Sequence, residues 1–218
     1  MDIIVYVDLE TTGLNPLFDD IIEIGAISEN RSPFQELIHT SLYNGLPQRI
    51  VDLTGISDEL LEKEGHSPDQ VYPRFAQWIQ TLLDSLTGNT TTNATNATNT
   101  TNTHKNHLYI IGHNGDNFDH PFLRRHMSKY SQVLKDKRIR FCDSRTFIWY
   151  LEPGIQYTSL ATLSKALHIS YEGAHRAIQD AHLCHAILDI YIRKYPDFVD
   201  PEGHILWNRL YRTVYQFM

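Results

Sequence analysis

The sequence predicts an α/β domain built on a mixed sheet, and three observations carry that prediction. Residues 3–7 form a continuous apolar, largely β-branched run, the pattern of a strand buried on both faces rather than of an alternating edge strand. Two more strand-like runs follow, at 21–27 and 34–39. Beyond them helical and strand-like patterns alternate, which places parallel strands and covering helices in the same sheet.

Taken in order, the later strands are expected at 108–111 and 138–142, and helices at 70–86, 121–130, 159–167, 176–195 and 201–217. Five strands flanked by helices fit one domain over residues 1–218, long enough to bury a core without staples. Residues 88–106 stand apart: they are nearly pure Asn and Thr, have no apolar stripe to bury, and read as a low-complexity loop inserted between a helix and a strand. Asn89, Asn93, Asn96 and Asn99 each open an N-x-T pattern, read here as a product of that composition.

No signal-peptide pattern precedes the first strand, and no apolar run reaches membrane-spanning length. The two cysteines, Cys142 and Cys184, fall in expected core elements and suit a reducing compartment. A cytoplasmic or nuclear protein, neither secreted nor membrane-bound, is the expectation. A net charge of −7 argues against coating nucleic acid over a broad surface, but not against a small site that borrows positive charge from cations. Locally the sign reverses, with Arg124, Arg125, Lys129, Lys135, Lys137, Arg138 and Arg140 in one segment. That run is either a solvated face or a set of phosphate contacts.

Three short stretches carry the chemistry. The first strand leads into Asp8-Leu9-Glu10-Thr11-Thr12-Gly13, and alternation along a strand puts Asp8 and Glu10 on one side, about 6 to 7 Å apart. Such a pair repels itself and loses hydration unless something positive sits between; the plain alternative is that the strand ends there and both acids face water. The second stretch, His113-Asn114-Gly115-Asp116-Asn117-Phe118-Asp119-His120-Pro121, is a strand-to-helix turn in which Asp119 alone would read as a helix cap. The third, Gly173-Ala174-His175-Arg176-Ala177-Ile178-Gln179-Asp180, opens a long helix. Five residues is not a same-face helical spacing, so His175 cooperates with Asp180 only from the loop before the helix, where Gly173 would let it move.

Strand end, strand-to-helix turn and helix start are the places an α/β sheet gathers at one edge. Four carboxylates and no Cys/His zinc spacing suit hard cations, Mg²⁺ with Mn²⁺ as substitute, and two such ions can serve an in-line phosphoryl displacement. His175 remains to take a proton from water near neutral pH.

At this point the three stretches resemble the three motifs of the DEDDh branch of the DEDD 3′-to-5′ exonuclease superfamily, on a ribonuclease H-like fold. The second motif, with three residues between Asn114 and Phe118, and Phe141-Cys142-Asp143-Ser144 are most similar to three-prime repair exonucleases. A proline-rich segment found in some of that group is missing. The resemblance implies that Asp8 bridges both ions, that Glu10 and Asp180 complete the first, that Asp119 holds the second directly or through water, and that His175 is the general base. It implies substrate contacts at Leu14, Thr11, Ile56, His113 and Asn114: an apolar wedge on the terminal base at Leu14, and the pre-helical turn Thr54-Gly55-Ile56 beside the terminal nucleotide. Leu14 reads equally as a core-facing loop leucine, and Phe118 as packing under Asp119. The expected partner is nucleic acid with a 3′ end, single-stranded DNA, with a homodimer left open. An exoribonuclease and a silent or proofreading module docked on a polymerase are the competing readings.

Overall fold

The computed structural model describes residues 1–29, 31–40, 45–88, 106–156, 158–170 and 175–215. Strands β1 (Ile3–Thr11), β2 (Ile21–Ser28), β3 (Arg31–Leu37), β4 (Leu108–Gly112) and β5 (Ile139–Asp143) form one sheet in the order β3-β2-β1-β4-β5. The first three pair antiparallel, while β1, β4 and β5 run parallel, so the sheet is mixed as expected. The helices are α1 (Gln48–Thr54), α2 (Asp58–Glu64), α3 (Pro68–Gly88), α4 (Asp119–His126), α5 (Ser131–Leu134), α6 (Ser144–Leu151), α7 (Leu160–Ala166), α8 (Ala177–Arg193) and α9 (Trp207–Tyr215). None among the described residues is long and apolar enough to cross a membrane. Most of the Asn/Thr run, and Gly173 and Ala174, lie outside the described residues.

Side-chain alternation along β1 decides where the chemistry faces. Ile3, Val5, Val7 and Leu9 pack with Phe75, Ile79 and Leu82 of α3. The intervening positions, Ile4 and Tyr6, face the other way, onto a cluster holding Ile187 and Leu188 of α8. The same period carries Asp8 and Glu10 to the α8 side. Helix α8 comes down close over β2 because Gly25 has no side chain: a Cβ there would stand 2.3 Å from the carbonyl carbon of Ala177. Any residue with a side chain at position 25 would lift the helix start, and Asp180 with it.

Four expectations are corrected by the architecture. Strand β1 continues past residue 7 to Thr11 because β2 pairs with it throughout, Glu10 opposite Glu23. Asp8 and Glu10 therefore lie within the strand, where β1 has outrun its last paired residue with β4, Tyr6 opposite Ile111. The helix after the second motif closes at His126 and gives way to a separate turn at Ser128–Tyr130. The last helix starts at Trp207, not 201, because Asp200 accepts from the His204 amide at 2.7 Å and Val199 bridges Ile205, which holds 200–205 in a turn. Helices α1, α2, α5 and α6 occupy stretches for which no helix was expected; none is longer than eight residues.

Candidate active site

Strand β1 and helix α8 bring three acids together. Asp8, Glu10 and Asp180 offer carboxylate oxygens that all lie within 4.8 Å of one another. Asp119, the first residue of α4, is 1% exposed, and neither of its oxygens has a well-formed hydrogen bond. Gly112, the last residue of β4, makes room for it: a Cβ there would meet Asp119 Oδ2 at 2.7 Å. Asp119 does not cap α4; Phe118 holds the cap position. A buried carboxylate so weakly bonded is costly, and it asks for a ligand.

The electrostatics point the same way. Burial holds the Asp8 carboxyl well above the ordinary carboxylate range, with the charges of Asp119, Asp180, Glu10 and Glu23 adding to the effect. Burial and then Asp180 push Glu10 up to about 8, with Arg176 opposing. Asp119 is also pushed up to about 8, by burial first, its own and the Leu9 backbone amides opposing and Asp143 and Asp180 adding. An oxygen-only donor set of acids that repel one another fits a hard divalent cation, which would offset both terms.

A stability prediction follows from these shifts. Glu10 and Asp119 titrate near 8 in the fold but at about 4 in an unfolded chain. The unfolded chain therefore loses these protons first, and the metal-free protein should lose stability as pH rises from about 4 to about 8. A cation that binds the ionised acids reverses this. At about a hundred times its Kd, Mg²⁺ should raise Tm by about 5 to 10 °C at pH 8, and by much less at pH 5. Thermal melts with and without Mg²⁺ at the two pH values check it; an equal shift at both would count against an acidic cation site.

His175 lies just before α8, in the left-handed region at φ 62°, and so on the loop as its spacing required. It lines a cleft of about 540 Å³ together with Asp180, His113, Asn114, Arg145 and Thr158. The neighbouring Arg176 is clamped to Glu23 of β2, its Nη2 donating to Oε1 at 2.7 Å, while the Ala177 amide donates to Oε2 at 3.1 Å. Glu23 is fully buried, so this clamp fixes the α8 entry between His175 and Asp180. Stranding a buried charge by removing its partner costs roughly 3 to 5 kcal/mol. Sequence reasoning missed Glu23; the signal was an acid inside the apolar run Ile21-Ile22-Glu23-Ile24.

The expected substrate residues are placed unequally. Leu14 is 75% exposed, on the turn after β1, so it is not a core leucine. Thr11 is buried and its hydroxyl donates to the Gly13 carbonyl at 2.5 Å, which shapes that turn. Ile56 is fully buried with Ile22, Leu37 and Ile50, so its side chain is core and not part of the cleft surface. His113 has its ring lowered to about 4 by burial, with the Thr158 carbonyl opposing and Arg145 adding, and is neutral at physiological pH. Its Nε2–H donates to that carbonyl, so Nδ1 accepts from the Ser144 hydroxyl at 2.8 Å. Asn114, at φ 65°, accepts from Arg145 Nη1 at 2.9 Å and donates its amide to Asp143 at 3.0 Å. Asp143 thus ties the second motif to α6; in the sequence it stood out only as part of Phe141-Cys142-Asp143-Ser144.

The basic segment is partly spent on structure. Arg125 Nη1 donates to the Pro16 and Asp19 carbonyls at 2.9 and 2.6 Å, Arg124 stacks over Phe141, and Arg138 pairs with Asp136. Lys129 remains largely exposed, 4.0 Å from Asp69.

A mixed sheet with a cluster of three carboxylates against its central strand defines an α/β domain with an acidic site able to hold a metal ion. The chain belongs to the RNase_T exonuclease family, whose model matches residues 5–107 and 86–188. It is 27% identical over 197 residues to the PolC-type DNA polymerase III of Clostridium perfringens, covering 88% of this chain and 11% of the polymerase. The corresponding polymerase of Mycoplasma genitalium is 28% identical over 177 residues, 79% of this chain and 10% of that one. E. coli exonuclease I in complex with a dT13 oligonucleotide matches with a TM-score of 0.66 at 18% identity, over 89% of this chain and 41% of that one. Exonuclease I from Methylocaldum szegediense gives 0.64 at 15% identity, over 99% and 43%. The chain thus spans about a tenth of the curated polymerases and about two fifths of the exonuclease I chains. The fold is the ribonuclease H-like fold of these exonucleases, as the motifs implied.

Proposed function

We propose that the chain is a metal-dependent 3′-to-5′ exonuclease of DEDDh type that removes 5′-mononucleotides from the 3′ end of single-stranded DNA. The observation that carries this reading is the convergence of Asp8, Glu10 and Asp180 within 4.8 Å, with the buried carboxylate of Asp119 acting on Asp8. Exonuclease I has been solved with dT13 and dA16 strands, which supports a single-stranded DNA substrate for a chain of the same fold. The PolC-type relatives are DNA polymerases, which favours DNA over RNA and makes proofreading beside a polymerase the second reading.

Asp8, Glu10, Asp119 and Asp180 would hold two divalent cations, Mg²⁺ or Mn²⁺. When bound, these supply Lewis-acid charge to the attacking and leaving oxygens. His175, at the cleft wall, takes the proton from the attacking water. Attack on phosphorus breaks its bond to the 3′-oxygen of the preceding nucleotide. A 5′-mononucleotide leaves, and that oxygen takes up a proton to become the new 3′-hydroxyl. The Glu23–Arg176 clamp keeps His175 and Asp180 in register through this step.

Purified protein incubated with 5′-labelled DNA and RNA oligonucleotides tests the reading. A ladder shortening from the 3′ end of DNA is expected with Mg²⁺, and none in EDTA. Internal cleavage, or no shortening with either Mg²⁺ or Mn²⁺, would overturn it; faster shortening of RNA would move the substrate class to RNA.

A further inference from the structure

The loop joining β1 to β2 exposes three large apolar side chains within five residues: Leu14 at 75%, Leu17 at 71% and Phe18 at 80%. Scattered exposed leucines need no explanation, but a contiguous group does. Fraying is not the cause, because the underside of this loop is bonded throughout. Thr12 donates its amide to the Asp20 carbonyl at 2.9 Å, closing the base of the loop. Asn15 donates its amide to Asp19 Oδ2 at 2.8 Å, and Leu17 donates to Asn15 Oδ1 at 2.9 Å. Gly13 lies so close over Asp19 that a Cβ there would meet its carboxylate at 2.4 Å. From the other side Arg125 Nη1 donates to both the Pro16 and Asp19 carbonyls. The polar backbone is consumed inward, and the apolar side chains are held outward.

The two elements that pin this loop are those that carry the acids. It leaves β1 at Thr11, one residue after Glu10, and Arg125 sits on α4, whose first residue is Asp119. Arg125 is exposed beside the loop, whereas Arg124 is turned away onto Phe141. In a chain of net charge −7, an apolar ledge edged by the Arg125 guanidinium and continuous with the strand that carries Asp8 and Glu10 suits bases strung on a phosphate backbone.

We infer that Leu17 and Phe18 form a stacking platform for the bases behind the scissile nucleotide, and that Arg125 is the positioning residue that holds this platform out. This rests on the exonuclease reading for its substrate and adds to it a second point of grip. Stacking is tolerant of sequence because every base has a π-face, so the platform favours any strand that carries bases over one that lacks them.

The test compares an oligo(dT) strand with the same strand made abasic at the second and third positions from its 3′ end. The intact strand should show the lower KM. Phe18→Ala should raise KM on the intact strand by about 5- to 150-fold, the range of one lost base stack, while kcat is kept and the abasic strand responds little. Leu17→Ala should act in the same direction. Arg125→Ala should copy this pattern without touching a base, and Arg125→Lys should restore part of it. Unchanged discrimination in Phe18→Ala and Leu17→Ala, or an equal fall in kcat on both strands, would overturn the inference. So would sedimentation showing a dimer that Phe18→Asp converts to monomer, since the ledge would then serve a second copy. Fluorescence anisotropy in EDTA repeats the comparison without turnover. Base-dependent binding by a chain that hydrolyses neither strand would keep the platform and overturn the exonuclease reading.

Discussion

Asp8→Asn should abolish turnover while making the metal-free protein more stable at pH 8. Both effects come from one position. Asp8 projects from β1 toward α8, among the charges of Asp119, Asp180 and Glu10, each of which raises its carboxyl above the ordinary range. On the proposed reading it is the acid shared between two cations. Cations of this kind supply several kcal/mol of transition-state charge stabilisation, and each 1.36 kcal/mol is a factor of ten, so kcat should fall by at least about a thousandfold. In the absence of metal the same carboxylate is a source of repulsion and lost hydration. Replacing it with a neutral amide of the same shape removes that penalty, so Tm in EDTA should rise at pH 8, and by less as the pH falls toward the ordinary carboxylate range. Mg²⁺ should then stabilise the variant less than the wild type. Turnover near wild type in Asp8→Asn, or a fall in metal-free Tm at pH 8, would refute the shared-ligand role.

The strands and the acids were legible because their signals are local. An uninterrupted β-branched run marks a two-sided strand, and alternation within it settles which way Asp8 and Glu10 point. His175 was placed on a loop by the same kind of reasoning, from a spacing that no helix face accommodates. What escaped the sequence depends on contacts distant along the chain. Glu23 looks like one polar position in a strand until Arg176, 153 residues away, closes on it. Arg125 looks like a phosphate contact, yet its Nη1 is bonded to carbonyls more than a hundred residues earlier. Ile56 follows a turn similar to one that meets substrate in related enzymes, but the short helices α1 and α2 fold their apolar sides over it and bury it. Those helices were missed because two turns carry too little periodicity to announce themselves; α2 forms on the Ser57 cap and its packing.

His175→Ala should lower kcat by about 10² to 10⁴ fold while leaving metal affinity nearly intact. On the proposed reading Asp8, Glu10, Asp119 and Asp180 would already supply oxygen ligands suited to Mg²⁺, for which imidazole is the poorer ligand. His175 enters the cleft from a left-handed backbone position just ahead of α8, anchored one residue later by the Arg176–Glu23 clamp. That arrangement fixes the chain beyond the ring rather than the ring itself, which suits a group that must approach a water. A general base acts only when deprotonated, so the wild-type rate should fall on the acid side of its pH profile. The alanine variant should lack that limb, whereas Asp180→Asn should lose rate and Mg²⁺-dependent stabilisation together. Calorimetric Mg²⁺ titration, thermal melts and rate–pH profiles of the two variants separate the roles. Loss of Mg²⁺ binding in His175→Ala would make the histidine a ligand, and an unchanged kcat with an unchanged profile would remove it from the chemistry.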